Sequence, residues 1–257
     1  MTTALQRNSL GVAVIGAGRI GTMRARLAAQ HPAVNFIAVS DLHRDAAQAL
    51  ADRASAQFVA ASNREAIEHP SVNTVIVSTS EHEHTEAVVM ALALGKKVMV
   101  EKPIALKLED ADRILRALDK STGSLHVGYS RRFKDRYLIA KEQILQGRIG
   151  KIVGGAARVF NSRSQALAMM KRNPEATPVV DALTYYVDLM NWLLEGNPAV
   201  EVFARGQGSV LKETGFNTND VTWAIVTFAD GTVVHPLDEG YVRRLVAELR
   251  DTPAVKA

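Results

Sequence analysis

Short apolar runs alternate with amphipathic stretches through the first half of the chain. GVAVIG, beginning at Gly11, is a β-branched run that breaks at glycine, and RIGTMRARLAAQ after it has a helical pattern. FIAVSD predicts a second strand and the alanine-rich RDAAQALADRA a second helix. TVIVSTS reads as a strand followed by the helix HTEAVVMALALG, and KKVMVEKP as a strand followed by the helix LEDADRILRALDKS. SLHVGYS is one more strand. Strand and helix alternating at this spacing predict βαβ units and a parallel sheet covered on both faces.

The texture changes near GRIGKIVGG. Longer strands of antiparallel appearance come after it: IVGGAARVF, VEVFARGQGS and DVTWAIVTFADGTVV, with ADG as a hairpin-turn signal. YVRRLVAELR predicts a final helix and DTPAVKA a frayed end. The pattern therefore predicts an α/β domain over residues 1–124 and an α+β domain over residues 125–257. Between the first two strands of the second domain lies VVDALTYYVDL. On one helix, Asp181, Tyr185 and Asp188 share a stripe that Trp192 extends, while Leu183, Val187, Met190 and Leu194 form a second, apolar one. A polar line on a mostly apolar helix faces either water or a site where protons move.

Composition narrows the classes. The 257 residues carry a formal charge of +4 and few aromatics, and the basic residues are scattered, which argues against nucleic-acid binding. The mild positive field favours an anionic ligand. With no cysteine, disulfides, thiolate metal sites and a cysteine nucleophile are excluded. No apolar stretch has signal-peptide character or membrane-spanning length, so cytoplasm is the expected location, with no membrane partner.

GAGRIG places Gly16, Gly18 and Gly21 in G-x-G-x-x-G spacing, directly after a predicted strand and opening a helix through Arg19 and Ile20. In that context the first glycine permits the tight turn, the second admits a pyrophosphate, and the third allows close strand–helix packing; the helix N-terminus supplies N–H groups. Asp41 ends the second strand about 20 residues further on, where a carboxylate accepts from the adenosine ribose and repels a 2′-phosphate. That favours NAD over NADP, although His43 and Arg44 follow closely. Glu101 and Lys102 sit at the C-terminal end of a parallel strand, the edge where ligands bind in open α/β sheets.

Together GVAVIGAGRIG, STSEHEHTEAVVMALALGKKVMVEKP, GYSRRF and VVDALTYYVDLMNWLL resemble the Gfo/Idh/MocA oxidoreductases, over most of residues 11–195. The resemblance implies an N-terminal Rossmann dinucleotide-binding domain and a C-terminal α+β domain with an open antiparallel sheet that commonly makes oligomer contacts. It implies hydride transfer between nicotinamide and a hydroxyl-bearing carbon of a sugar, cyclitol or similar polyol. By the same resemblance Lys102 lies by the nicotinamide and the reacting oxygen, and Glu101 helps hold the cofactor. Thr79 and Ser80 pass under the cofactor, His84 lies in the matching stretch, and Arg131 or Arg132 reaches the carboxamide or the substrate.

The family's catalytic helix commonly carries Asp-x-x-x-His. Here the aspartate is Asp181, and Tyr185 occupies the histidine position. Three readings stand: Tyr185 is the acid–base group, a phenol whose ordinary pKa is about 10; Lys102 carries the proton and Tyr185 shapes the pocket; or the chemistry is impaired and the chain binds NAD(H) without turnover. Compared with the family the second domain looks shortened after TFADGTVV. A rival from another class is a metal site built on His82, His84 and the glutamates of EHEHTE; the reading adopted has no metal.

Overall fold

A computed structural model describes residues 9–173 and 177–239. The chain forms two compact units that divide between Gly128 and Tyr129.

The first unit is a six-stranded parallel sheet in the order β3-β2-β1-β4-β5-β6. Its strands are β1 (Leu10–Ile15), β2 (Val34–Ser40), β3 (Phe58–Val59), β4 (Thr74–Val77), β5 (Lys97–Val100) and β6 (Ser124–Val127). The helices are α1 (Arg19–Gln30), α2 (Arg44–Ala54), α3 (Asn63–Glu68), α4 (His84–Ala93) and α5 (Leu108–Asp119). Successive β1 side chains serve opposite faces, as a period of two requires. Val12 and Val14 pack with Ala25 of α1 and Leu50 and Ala51 of α2, while Ala13 and Ile15 pack with Ala66 and Ile67 of α3 and Ala87, Val88 and Ala91 of α4. Burial on both faces explains why the strands read as continuous apolar runs. The strand order reverses between β1 and β4, the point where doubly wound sheets bind ligands.

The second unit holds a turn at Ser130–Phe133, α6 (Asp135–Leu145), β7 (Gly154–Val159), α7 (Arg163–Arg172) and α8 (Thr184–Leu193). β8 (Ala199–Gln207), α9 (Val210–Glu213), β9 (Val221–Phe228) and β10 (Val233–Glu239) complete it. Its sheet order is β7-β10-β9-β8. The expected sheet is antiparallel; the observed one is mixed. β9 runs antiparallel to β8 and β10, but β7 pairs with β10 in parallel. Parallel neighbours need a long crossover rather than a hairpin, and the connection from β7 through α7 and α8 is long enough to allow one. The strand expected to end at Val234 stays extended through Pro236 to Glu239. The predicted helix YVRRLVAELR lies outside the described residues.

The helix read from VVDALTYYVDL begins as a π-helical turn, Val179–Leu183, and becomes α-helical at Thr184. The buried apolar stripe differs accordingly. Leu183 and Met190 are buried, but Val187 is 40% exposed and Leu189 takes the buried place. The wider turn shifts the angular phase of the residues beyond it. Met190, Tyr186 and Leu194 pack on Val226, Phe228 and Val234 of the sheet.

Candidate active site

The structure gathers the sequence-selected residues into two groups, one in each unit. In the first unit β1 ends at Ile15 and the chain turns at Gly16, whose φ of +98° suits glycine. A Cβ there would lie 2.7 Å from the carbonyl of Ser78, and one at Gly21 would lie 1.8 Å from the Gly16 oxygen. These two glycines are required by the protein's own backbone. Gly18 differs: a Cβ there would meet nothing within 4 Å, and its φ of −65° suits any residue. Gly18 caps α1 without a side-chain cap and with no acidic residue in the first turn, so no side chain of that turn competes for the N–H groups around Arg19 and Ile20.

Asp41, at the end of β2, braces this loop. Its Oδ2 accepts from the Ala17 N–H at 2.7 Å and its Oδ1 from the His43 N–H at 2.9 Å. Each oxygen keeps a lone pair for a further donor. Beside the loop, at the end of β4, the hydroxyls of Ser78 and Thr79 are buried with no hydrogen-bond partner.

His84 is 1% exposed at the start of α4. Its Nδ1 lies 2.9 Å from the Pro103 carbonyl and its Nε2 3.3 Å from the Thr79 carbonyl. Burial holds its pKa below the ordinary 6.5, against the raising effect of the two carbonyls. A neutral ring donates one N–H, and the shorter contact favours donation to Pro103. His84 thus ties the segment after β4 to the loop after β5 that carries Lys102. His84 is buried with one ring N–H given to a backbone carbonyl, and His82 is an exposed residue beside Glu83. Among the described residues no three potential ligands converge on an ion site.

Glu101 pairs with Arg24 of α1, Nε to Oε1 at 2.7 Å. Its other oxygen would stand 3.0 Å from a Cβ at Gly128. Arg24 escaped the sequence reading because 77 residues separate the partners and Arg24 belongs to no motif. Lys102, next in the chain, is half-buried.

In the second unit the polar stripe of α8 faces the two arginines of the Ser130–Phe133 turn. Arg132 grips Asp188, Nε to Oδ2 at 2.8 Å with a second, shorter bond from Nη2 to Oδ1, and lies 5.8 Å from the Trp192 ring centre. The carboxylate raises the Arg132 pKa still further. Arg131 lies 4.9 Å from the Tyr185 ring centre and 4.7 Å from that of Tyr186. Tyr129 meets Tyr185 edge-on at 6.1 Å, and burial pushes the Tyr129 phenol up. Asp181 sits half-buried in the π turn, its N–H donating to Thr177. Lys171 and Arg172 lie exposed in the last turn of α7, where basic residues complement the helix dipole.

Residues 10–129 match a family model described as an oxidoreductase family with an NAD-binding Rossmann fold, and residues 137–236 match the Gfo/Idh/MocA C-terminal domain. The chain belongs to the Gfo/Idh/MocA oxidoreductase family. Among its relatives, myo-inositol 2-dehydrogenase of Thermotoga maritima is 29% identical over 225 residues, 84% of this chain and 63% of that protein. The inositol 2-dehydrogenase of Gluconacetobacter diazotrophicus is 30% identical over 73% of this chain and 55% of that protein. A probable dehydrogenase of Thermotoga maritima superposes with a TM-score of 0.78 at 27% identity, covering 90% of this chain and 68% of that one. The chain therefore spans less than two thirds of the length of either inositol dehydrogenase. The family's dinucleotide fits the first unit: the open side of Gly18 and the unpartnered hydroxyls of Ser78 and Thr79 border one loop.

Proposed function

We propose that this chain binds NAD(H) and serves a dehydrogenase acting on a hydroxyl-bearing carbon of a cyclitol or related polyol. The observation that carries the reading is the Gly18 cradle. It lies open on a loop whose other two glycines are packed tight, at the reversal of the strand order, with Asp41 bracing it. The relatives named as inositol dehydrogenases support the substrate class.

NAD supplies a hydride acceptor or donor when bound. The residues assigned to hold it are Gly16, Gly18, Arg19, Ile20 and Gly21 at the phosphates, Asp41 at the ribose, and Thr79, Ser80 and Glu101 along the strand ends. His84 contributes by tying the two loops together. Oxidation of an alcohol removes a hydride from carbon and a proton from oxygen. Lys102 is assigned to that proton: its neutral amine accepts it in oxidation, and its ammonium donates it in reduction. Asp181 is assigned to a substrate hydroxyl as an acceptor. Tyr185, in place of the family's histidine, completes the set.

Titration with NADH and then NADPH, followed by nicotinamide fluorescence, tests the reading. Saturable NADH binding with much weaker NADPH binding is expected, and Asp41→Ala should narrow the preference at least tenfold. Binding of neither cofactor refutes it.

A second reading concerns assembly through the sheet of the second unit. Phe203, Trp223, Ile225 and Val233 share one face of β8, β9 and β10 and are 43–56% exposed. An apolar face of this kind suits contact with a second copy of the chain. Light scattering should report a dimer or larger that Ile225→Lys dissociates; a monomer at every concentration would exclude it.

A further inference from the structure

Two adjacent arginines meet the stripe of α8 and are treated differently. Arg132 has its carboxylate, Asp188, in a two-bond pair. The guanidinium of Arg131 lies instead between the rings of Tyr185 and Tyr186, and its Nε is buried without an acceptor. Aromatic faces attract a guanidinium and fix its plane, but they take no N–H in its plane. The terminal N–H groups of the fork remain available to an oxygen acceptor, and among the described residues no carboxylate pairs with this guanidinium. A charge drawn partly out of water is costly without a counter-charge. A planar carboxylate fits the fork of a guanidinium through two parallel bonds.

We propose that Tyr185 and Tyr186 are an aromatic clamp that holds Arg131 as the receptor for a carboxylate on the substrate, so that the polyol is a polyhydroxy acid. This rests on the dehydrogenase reading above and deepens it. It also gives a reason for a tyrosine at position 185: a ring there stacks on Arg131. Tyr185 works through its face, as a positioning residue for Arg131. Tyr129 packs edge-on against Tyr185.

The test is calorimetric titration of the whole chain with D-gluconate, myo-inositol and glucose 6-phosphate, each with and without saturating NADH. Gluconate should bind at least tenfold more tightly than the other two. Arg131→Met should lose at least tenfold in gluconate affinity while its NADH affinity, read by fluorescence, stays within twofold. Tyr185→Phe should keep gluconate affinity within threefold, and Tyr185→Leu should lose it with Arg131→Met. Equal binding of myo-inositol, or tighter binding of glucose 6-phosphate, would overturn the carboxylate assignment. Loss of NADH affinity in Arg131→Met would give the anion to the cofactor and overturn the proposal. Equal damage from Tyr185→Phe and Tyr185→Leu would make the phenol, not the ring, the working part. If NADH does not bind at all, the dehydrogenase reading fails, while gluconate binding to the cofactor-free chain still judges the clamp.

Discussion

The glycine loop allows a sharp separation of folding from binding, through Gly18→Ala set against Gly21→Ala. At Gly21 an added methyl would stand 1.8 Å from the Gly16 oxygen and 2.9 Å from its carbon, both backbone atoms. No rotamer relieves that contact, so α1 must move off β1, at a cost above the usual ~1–3 kcal/mol of an overpacked core. At Gly18 the methyl meets nothing within 4 Å, and φ −65° with ψ −176° is ordinary extended backbone. The change there loses at most about 1 kcal/mol as a poorer helix cap. Reduced freedom of the unfolded chain returns about 0.4–1 kcal/mol. Gly18→Ala should therefore unfold in urea within about 1 kcal/mol of the parent. Its NADH affinity should fall at least tenfold, about 1.4 kcal/mol, because a methyl occupies the approach of the pyrophosphate. Unchanged affinity in a folded Gly18→Ala would refute the cradle. A loss of stability matching Gly21→Ala would show that the site is not open.

Two further outcomes test the supports of the site. Arg132→Met leaves Asp188, whose side chain is 7% exposed, without its partner. A fully buried broken pair costs about 3–5 kcal/mol, and the 39% exposure of Arg132 lowers the expectation to about 2 kcal/mol in urea unfolding; a change under about 0.5 kcal/mol would make the pair incidental. His84 has its folded pKa below its ordinary 6.5, so the unfolded chain binds the proton more readily. Its contribution is complete above that pH and declines as pH falls from 6.5 through the folded value. His84→Gln should flatten this part of the stability profile, and an unchanged slope would place the titration elsewhere.

The first unit was legible because its signals are local. A strand, a glycine turn and a helix succeed one another within about twenty residues, and apolar runs report burial on both sheet faces. The spacing from Gly21 to Asp41 carried the acid to the correct strand end. Contacts across long separations were not legible. Nothing near Glu101 points to Arg24, and nothing near Asp188 points to Arg132, 56 residues away. The polar line on α8 could be seen, but not its partner. It meets two arginines, a choice made by where the Ser130–Phe133 turn packs.

By itself, then, the sequence determined most strands and helices of the first unit, though not the short β3 and α3, together with where the glycine loop lies and which family the chain resembles. Each depends on neighbours in the chain or on fixed spacing. Tertiary structure alone decided that β7 aligns parallel to β10, that a π turn rotates the buried face of the helix, and that Arg131 lies between two tyrosines. Those outcomes depend on which distant surfaces exclude water together, and hydrophobic pattern specifies that a face is buried without naming what buries it.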